Sequence, residues 1–201
     1  MRTSLLKAFS ATALLAVAIA VPASASPFDQ QEWLAYEKRT ATTQNDVFAS
    51  RVDLSSETQI TAAPGDEDVI SVSPDGRHVL IQQEFNLQHR LVTADVDGAN
   101  FRVVSQPADF PTISPDAWSP DGQHITFHDE ITDQTLIARA DGSMRRVVAS
   151  NAGLPIWGPT GDIAYGTGSE IVVLDSRGVE RWRRNSTAAP VSWTPDGGKI
   201  A

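Results

Sequence analysis

The chain has 201 residues, no cysteine, and 25 acidic against 16 basic side chains, for a formal charge of −9 at neutral pH. The missing cysteines exclude disulfide staples, thiol chemistry and lipid anchoring through sulfur, so packing alone must stabilise the fold. The acidic balance argues against a nucleic-acid partner, whose phosphates it would repel.

Arg2 and Lys7 precede an apolar run from Ala11 to Val21, and Pro22-Ala23-Ser24-Ala25 follows it. A charged start, a short greasy segment and a small-residue A-x-A site predict a secretory signal over 1–25, cleaved after Ala25. The run is too short to span a bilayer comfortably, so no stable membrane insertion is expected after cleavage. Losing two basic residues would take the charge to −11 and leave 176 residues, which suits one domain. Residues 26–32 read as a disordered lead, and export places the remainder in the periplasm or outside the cell.

From there the pattern is short and extended. Strands are expected at Trp33–Tyr36, Asp46–Val52 and Thr58–Thr61, then a polar loop over Pro64–Asp68. Ile70 leads into Ser73-Pro74-Asp75-Gly76, a tight turn in which proline presets φ, aspartate caps its own following backbone and glycine takes a conformation that a Cβ would penalise. His78–Gln82 leaves that turn, Arg90–Asp95 makes a third strand, Asp97-Gly98 turns again, and Phe101–Ser105 makes a fourth.

The same order returns. Trp118 enters Ser119-Pro120-Asp121-Gly122, and strands follow at His124–His128, Thr135–Arg139 and Arg145–Ala149. A third copy runs from Ile156-Trp157 through Gly158-Pro159-Thr160-Gly161 to strands at Ile163–Tyr165, Glu170–Leu174 and Val179–Arg183. It lacks the aspartate and is one residue shorter at its exit. The chain ends on Trp193-Thr194-Pro195-Asp196-Gly197-Gly198. The anchors Ser73, Ser119, Gly158 and Thr194 are 46, 39 and 36 residues apart. A period near forty with four short strands per unit, and no sustained helical period, predicts an all-β chain built as a β-propeller of four-stranded antiparallel blades.

The Trp-Ser-Pro-Asp-Gly element, the apolar strand after it and an Asp-Gly turn about twenty residues later resemble the TolB-type, WD40-like propeller repeat. The resemblance covers nearly all of 33–201 and implies an exported propeller. It does not extend to TolB itself, which carries an α/β domain ahead of its propeller; no room for one exists between Ala25 and Trp33. The strand count gives about four blades. Either residues 189–194 pair with the Trp33 strand and close the ring, or the propeller is partial and continues past Lys199-Ile200-Ala201; the second is the expectation, since the family implies about six blades.

In such a meander the first and third turns share one face, while the second turns and the interblade links share the other. The first set is stereotyped. The longer, variable connections at 61–68, 83–89, 106–115 and 129–134 belong to the second set, and binding residues concentrate on such loops. That face carries Asp66, Glu67, Asp68, Glu84, Asp109, Asp116, Asp129, Glu130 and Asp133, with Phe85 and Phe110 among them as anchors. It reads as a docking surface for a protein or peptide partner of basic character.

Other signals are weaker. His78 and His124 occupy one slot, two residues past the turn glycine, and read as solvent-facing; a zinc site shared by His89 and His128 lacks converging ligands. Thr93 to Val104 fails as a calcium loop because Thr93 and Val104 stand where carboxylates belong. Gly166-Thr167-Gly168 has no phosphate-loop lysine, and no Gly-x-Ser-x-Gly elbow occurs. Trp118, Trp157 and Trp193 recur at the strand entering the turn, which predicts packing between blades. Asn185-Ser186-Thr187 matches a glycosylation sequon by pattern alone, and Arg181-Trp182-Arg183-Arg184 is a local basic strand. No catalytic residue, metal or cofactor is assigned. The leading expectation is a non-catalytic binding scaffold; the alternative is the propeller portion of a prolyl-oligopeptidase-like peptidase or a lyase, with its catalytic groups outside this chain.

Overall fold

The computed structural model describes residues 16–17, 33–41, 44–62, 64–85, 88–106 and 109–201. The expected signal and lead fall outside them, apart from Ala16–Val17. The described residues contain no helix. Four antiparallel sheets follow one another along the chain, each with its four strands in sequence order.

The first sheet holds β1 (Ala16–Val17), β2 (Trp33–Ala41), β3 (Gln44–Arg51) and β4 (Glu57–Gln59). The second holds β5 (Glu67–Val72), β6 (His78–Phe85), β7 (Gln88–Asp95) and β8 (Arg102–Val103). The third holds β9 (Pro111–Thr112), β10 (His124–Asp129), β11 (Gln134–Arg139) and β12 (Arg146–Ser150). The fourth holds β13 (Ile156–Trp157), β14 (Ile163–Gly166), β15 (Glu170–Leu174) and β16 (Glu180–Asn185).

Two expectations about connections need correction. The stretch 106–115 is not one long loop, because Pro111–Thr112 pairs with β10 as the inner strand of the third sheet. A two-residue strand opening on proline has no alternation to read, and proline is tolerated at a strand's first position. Within 83–89, residues 83–85 and 88–89 belong to paired strands, with Phe85 opposite Gln88.

Closure of the ring by 189–194 on the Trp33 strand is also not what the structure contains. Ala16 and Val17, within the expected signal, lie opposite Tyr36 and Ala35 on that edge, a pairing that cleavage after Ala25 would remove. Residues 191–201 instead fold on themselves: Trp193 bridges Ile200, the Thr194 N–H donates to Lys199 O at 2.9 Å, and the Ala201 N–H donates to Ser192 O at 2.9 Å.

The middle strands are buried on both faces, which explains their nearly continuous apolar runs, while the outer strands β4, β8, β12 and β16 are largely exposed. Along β6, Val79 and Ile81 pack toward the first sheet with Val47, Ala49 and Val92. Leu80, between them, faces the third sheet with Leu91, Trp118, Phe127 and Leu136. The period-2 alternation of a strand thus fills two seams at once. The repeating tryptophans do the same farther on: Trp157 packs with Ile137 and Ile163, and Trp193 lies against Ile156, Ala164 and Val173.

Candidate functional site

The first turns repeat atom for atom. In the second sheet Ser73 Oγ donates to Asp75 Oδ1 at 2.6 Å and accepts the His78 N–H at 2.9 Å, while the Arg77 N–H also reaches Asp75. Ser119, Asp121, Gln123 and His124 reproduce the set in the third sheet. Thr194, Asp196, Gly198 and Lys199 reproduce it again at the end of the chain. Burial opposes the charge on Asp121, yet the Ser119 hydroxyl and the Gln123 N–H hold its carboxyl below the usual carboxylate range. Pro74, Gly76, Pro120, Gly122, Pro195 and Gly197 complete these turns, and Pro159 and Gly161 the third copy.

The third copy departs for a steric reason. A Cβ on Gly158 would stand 2.8 Å from the Trp193 indole, so the serine of the other copies could be placed there only if that ring moved. Without that hydroxyl an aspartate two residues on would keep only a backbone N–H donor, and Thr160 stands instead.

The third turns set the sheets against each other. A Cβ on Gly142 would lie 2.3 Å from Val103 O of the second sheet, and its φ is +80°. Across the same seam Thr93 Oγ1 donates to Ala140 O at 2.6 Å.

The acidic loop face is only partly a surface. Glu67 is fully buried, accepting from Thr61 Oγ1 at 3.0 Å and Gln83 Nε2 at 2.6 Å. Burial pushes its carboxyl above the usual range, and the buried Asp46 carboxylate beside it adds to the rise. Asp109 is buried and paired with Arg145 at 2.8 Å. Asp129 is buried and receives the Phe110 N–H at 3.0 Å, the Ile131 N–H at 3.2 Å and the Thr132 hydroxyl at 2.5 Å. These three acids hold the scaffold together and are corrected out of the docking surface. Sequence reasoning placed them outside because acids on expected loops read as solvated.

The remainder is accessible. Asp66, Asp68, Asp116, Glu130 and Asp133 are exposed and Glu84 is half-buried. Asp66 and Asp68 flank the start of β5, and Glu84 lies near the end of β6 beside them, where its N–H donates to Asp66 O at 2.8 Å. Partial burial, then the Asp66 and Glu84 carboxylates, raise Asp68 above the usual range, with His89 opposing. Phe110 is 42 % exposed and meets the His89 ring edge-on at 5.0 Å. Phe85 ends β6 opposite Gln88. Asp116 lies off this cluster, between β9 and Trp118, where its carbonyl accepts the Trp157 N–H at 2.8 Å. His128 is buried, with Nε2 3.7 Å from Asp133. Among the described residues no three His, Cys, Asp or Glu side chains converge as metal ligands would.

Two clefts, of about 470 and about 350 Å³, open instead on the face of the first and third turns. His78 and His124 line them half-buried rather than facing solvent. His78 Nδ1 lies 2.8 Å from Asp95 Oδ1, and its ring stacks on Trp118 of the next sheet. The recurring slot past the glycine was visible in the sequence; that it points into a seam was not.

Among the described residues, sixteen strands in four successive, four-stranded antiparallel sheets, joined by recurring turns, define the architecture. The fold is a β-propeller. Among solved structures, a putative TolB from Agrobacterium tumefaciens is similar with a TM-score of 0.59 and 16 % identity, over 82 % of this chain and 67 % of that one. The propeller domain of Cps50 (Swd1) from Myceliophteria thermophila is similar with a TM-score of 0.60 and 14 % identity, over 85 % of this chain and 58 % of that one. A chain of a nidogen/laminin complex is similar with a TM-score of 0.50 and 11 % identity, over 77 % of this chain and 59 % of that one. This chain therefore spans about three fifths to two thirds of the length of these chains. No family model and no curated protein matches it. At such identities the likeness concerns the propeller fold, TolB-like and WD40-like, and not TolB itself.

Proposed function

We propose that the chain is a non-catalytic, exported propeller that binds a protein or peptide of basic character through the exposed part of its loop face. The observation that carries this reading is the crowding of Asp66, Asp68 and Glu84. Burial first, then the Asp66 and Glu84 carboxylates beside it, raise the proton affinity of Asp68, and a cation arriving among the three carboxylates relieves their repulsion. Glu130, Asp133 and the exposed Phe110 ring extend the patch with further charge and one apolar anchor. Propellers present such surfaces on rigid scaffolds, and one similar structure is a nidogen/laminin complex. The charged, apolar and A-x-A segments at the N-terminus support export.

The test is affinity capture from the native envelope or culture fluid with the wild-type chain and with Asp66→Lys/Asp68→Lys. Salt-sensitive partners captured by the wild type should be lost by the variant. An unchanged partner set, with the variant folded, would overturn the reading.

A further inference from the structure

The seam between the first and second sheets holds two carboxylates that the docking surface does not use. Asp46 on β3 is 3 % exposed and Glu67 on β5 is fully buried. Asp46 accepts from Thr40 Oγ1 at 2.5 Å and from Gln44 Nε2 and Gln59 Nε2 at 2.9 Å each. Glu67 accepts from Thr61 Oγ1 and Gln83 Nε2. Among the described residues no lysine, arginine or histidine forms an ion pair with either.

A carboxylate shut away from water needs a counter-charge or several donors. Asp46 has three neutral donors. Glu67 has two, with a carboxylate for a neighbour, so the proton of the pair belongs on Glu67. Burial raises its proton affinity, the Gln83 and Thr61 donors oppose, and the charge and hydrogen bond of Asp46 add to the rise.

The charges facing this pair do not offset it. Asp66 and Asp68 flank Glu67 along the chain, with Glu84 and His89 beside Asp68. Glu37 of β2 accepts the Val69 N–H at 3.1 Å; burial raises its carboxyl, that N–H opposes, and Asp68 and Asp66 add. Lys38, opposite Asp46 in the ladder, is engaged by Glu57 at 2.9 Å. Arg90 of β7 donates to Gln83, which in turn donates to Glu67.

Three backbone N–H groups tie the first sheet to β5 and its lead-in. Asn45 donates to Asp66 Oδ1 at 3.0 Å, Val47 to Thr61 Oγ1 at 2.8 Å, and Val69 to Glu37. Thr61 links the second of these to Glu67, because one hydroxyl accepts from Val47 and donates to the carboxyl.

We propose that this seam is a proton-held latch, closed while Glu67 carries its proton and opening locally when that proton leaves to solvent and Glu67 ionises against Asp46. The sign follows from the direction of the shift. A carboxyl whose proton affinity is raised by folding stabilises the closed seam below the ordinary carboxylate range, and that contribution is lost as pH rises through the folded value. Since Asp66 hangs on the Asn45 N–H, opening also respaces the loop-face carboxylates, whether or not that face binds a partner.

Hydrogen exchange of the whole chain, followed by NMR and corrected for the intrinsic pH dependence of exchange, tests this from the ordinary carboxylate range up to neutral pH. The Asn45, Val47 and Val69 amides should lose protection on the order of tenfold, the equivalent of about one unit of proton affinity. The Leu136 and Val173 amides, in middle strands of the third and fourth sheets, should lose less. Glu67→Gln, which carries no charge at any pH, should keep the seam protection constant, and Asp46→Asn should shrink its loss. Protection that does not fall with pH would overturn the proposal, as would a fall of the same size at Leu136 and Val173. An equal fall in Glu67→Gln would move the effect to Glu37, Asp66 or Asp68 and sink the latch. Failure of Glu67→Gln to fold in acid would do the same, because a neutral group at that position is what the closed seam requires.

Discussion

The two faces of the propeller use their carboxylates in opposite ways. On the turn face Asp75, Asp121 and Asp196 repeat one geometry, each capped by a hydroxyl and a backbone N–H two residues on, and each remains at the surface. On the loop face the acids divide. Glu67, Asp109 and Asp129 are drawn inside, each with different partners, and only the rest meet solvent. A repeated turn can cap a charge with its own backbone, because every donor lies within five residues. A variable connection must find donors wherever the fold brings them, and a carboxylate that finds enough of them is buried.

The largest expected effect tests how tightly the turn face is registered. Gly142→Ala would meet Val103 O at 2.3 Å in a backbone conformation that L-residues resist. It should cost about 3 kcal/mol or more, read by urea unfolding; a loss under about 1 kcal/mol would mean the seam yields freely.

Asp129→Ala comes next and tests the loop face as scaffold. Removing the acceptor strands two backbone N–H groups and one hydroxyl, for about 2–3 kcal/mol. Burial opposes the charge on Asp129, but its donors hold the carboxyl below the usual range. Its contribution is therefore present above the unfolded-state value and lost as pH falls through the folded one. The deficit of the alanine variant should shrink in strong acid; an equal deficit at every pH would break the assignment.

Gly158→Ser asks whether the third turn copy departs by necessity. Restoring the repeat's serine should cost about 1–2 kcal/mol by crowding the Trp193 ring, seen as a fall in Tm and a change in tryptophan fluorescence. A neutral result would make the departure incidental.

The smallest effect has the opposite sign. Burial and Asp46 raise the folded-state proton affinity of Glu67, so stability is greatest while Glu67 is protonated and falls as pH rises toward its raised value. The acids and bases around it include Asp46 on β3 and Arg90 on β7, the latter donating to Gln83 at 2.7 Å. Glu67→Gln should therefore raise Tm by about 2–4 °C at neutral pH, on the order of 1 kcal/mol, and flatten the pH dependence above the ordinary carboxylate value. A lower Tm at neutral pH would mean that the carboxylate is ionised and needed.

The repeat was legible because its chemistry is local. Ser119 to His124 contains every group its turn requires, so residue type announces it three times and spacing a fourth, and alternation along Val79, Leu80 and Ile81 announces buried strands. The inner strand Pro111–Thr112 was not legible, since two residues carry no period and only β10 identifies it as a strand. The loop-face site was read in outline and wrong in part, because exposure of an acid depends on donors that lie far away in sequence: Arg145 is 36 residues from Asp109. His78 and His124 were found as a recurring slot and misread as solvent-facing, because their seams are formed by the next blade.

The sequence by itself determined most of the blade: the three strands after its first turn, its two tight turns, the tryptophan that enters the later copies and the glycine positions its backbone demands. Those follow from dihedral limits and from hydrogen bonds that close within a few residues. Tertiary structure alone decided which carboxylates face water and which are locked between sheets. Those outcomes rest on contacts between blades, where the partner of each group is fixed by packing around the ring and not by its neighbours along the chain.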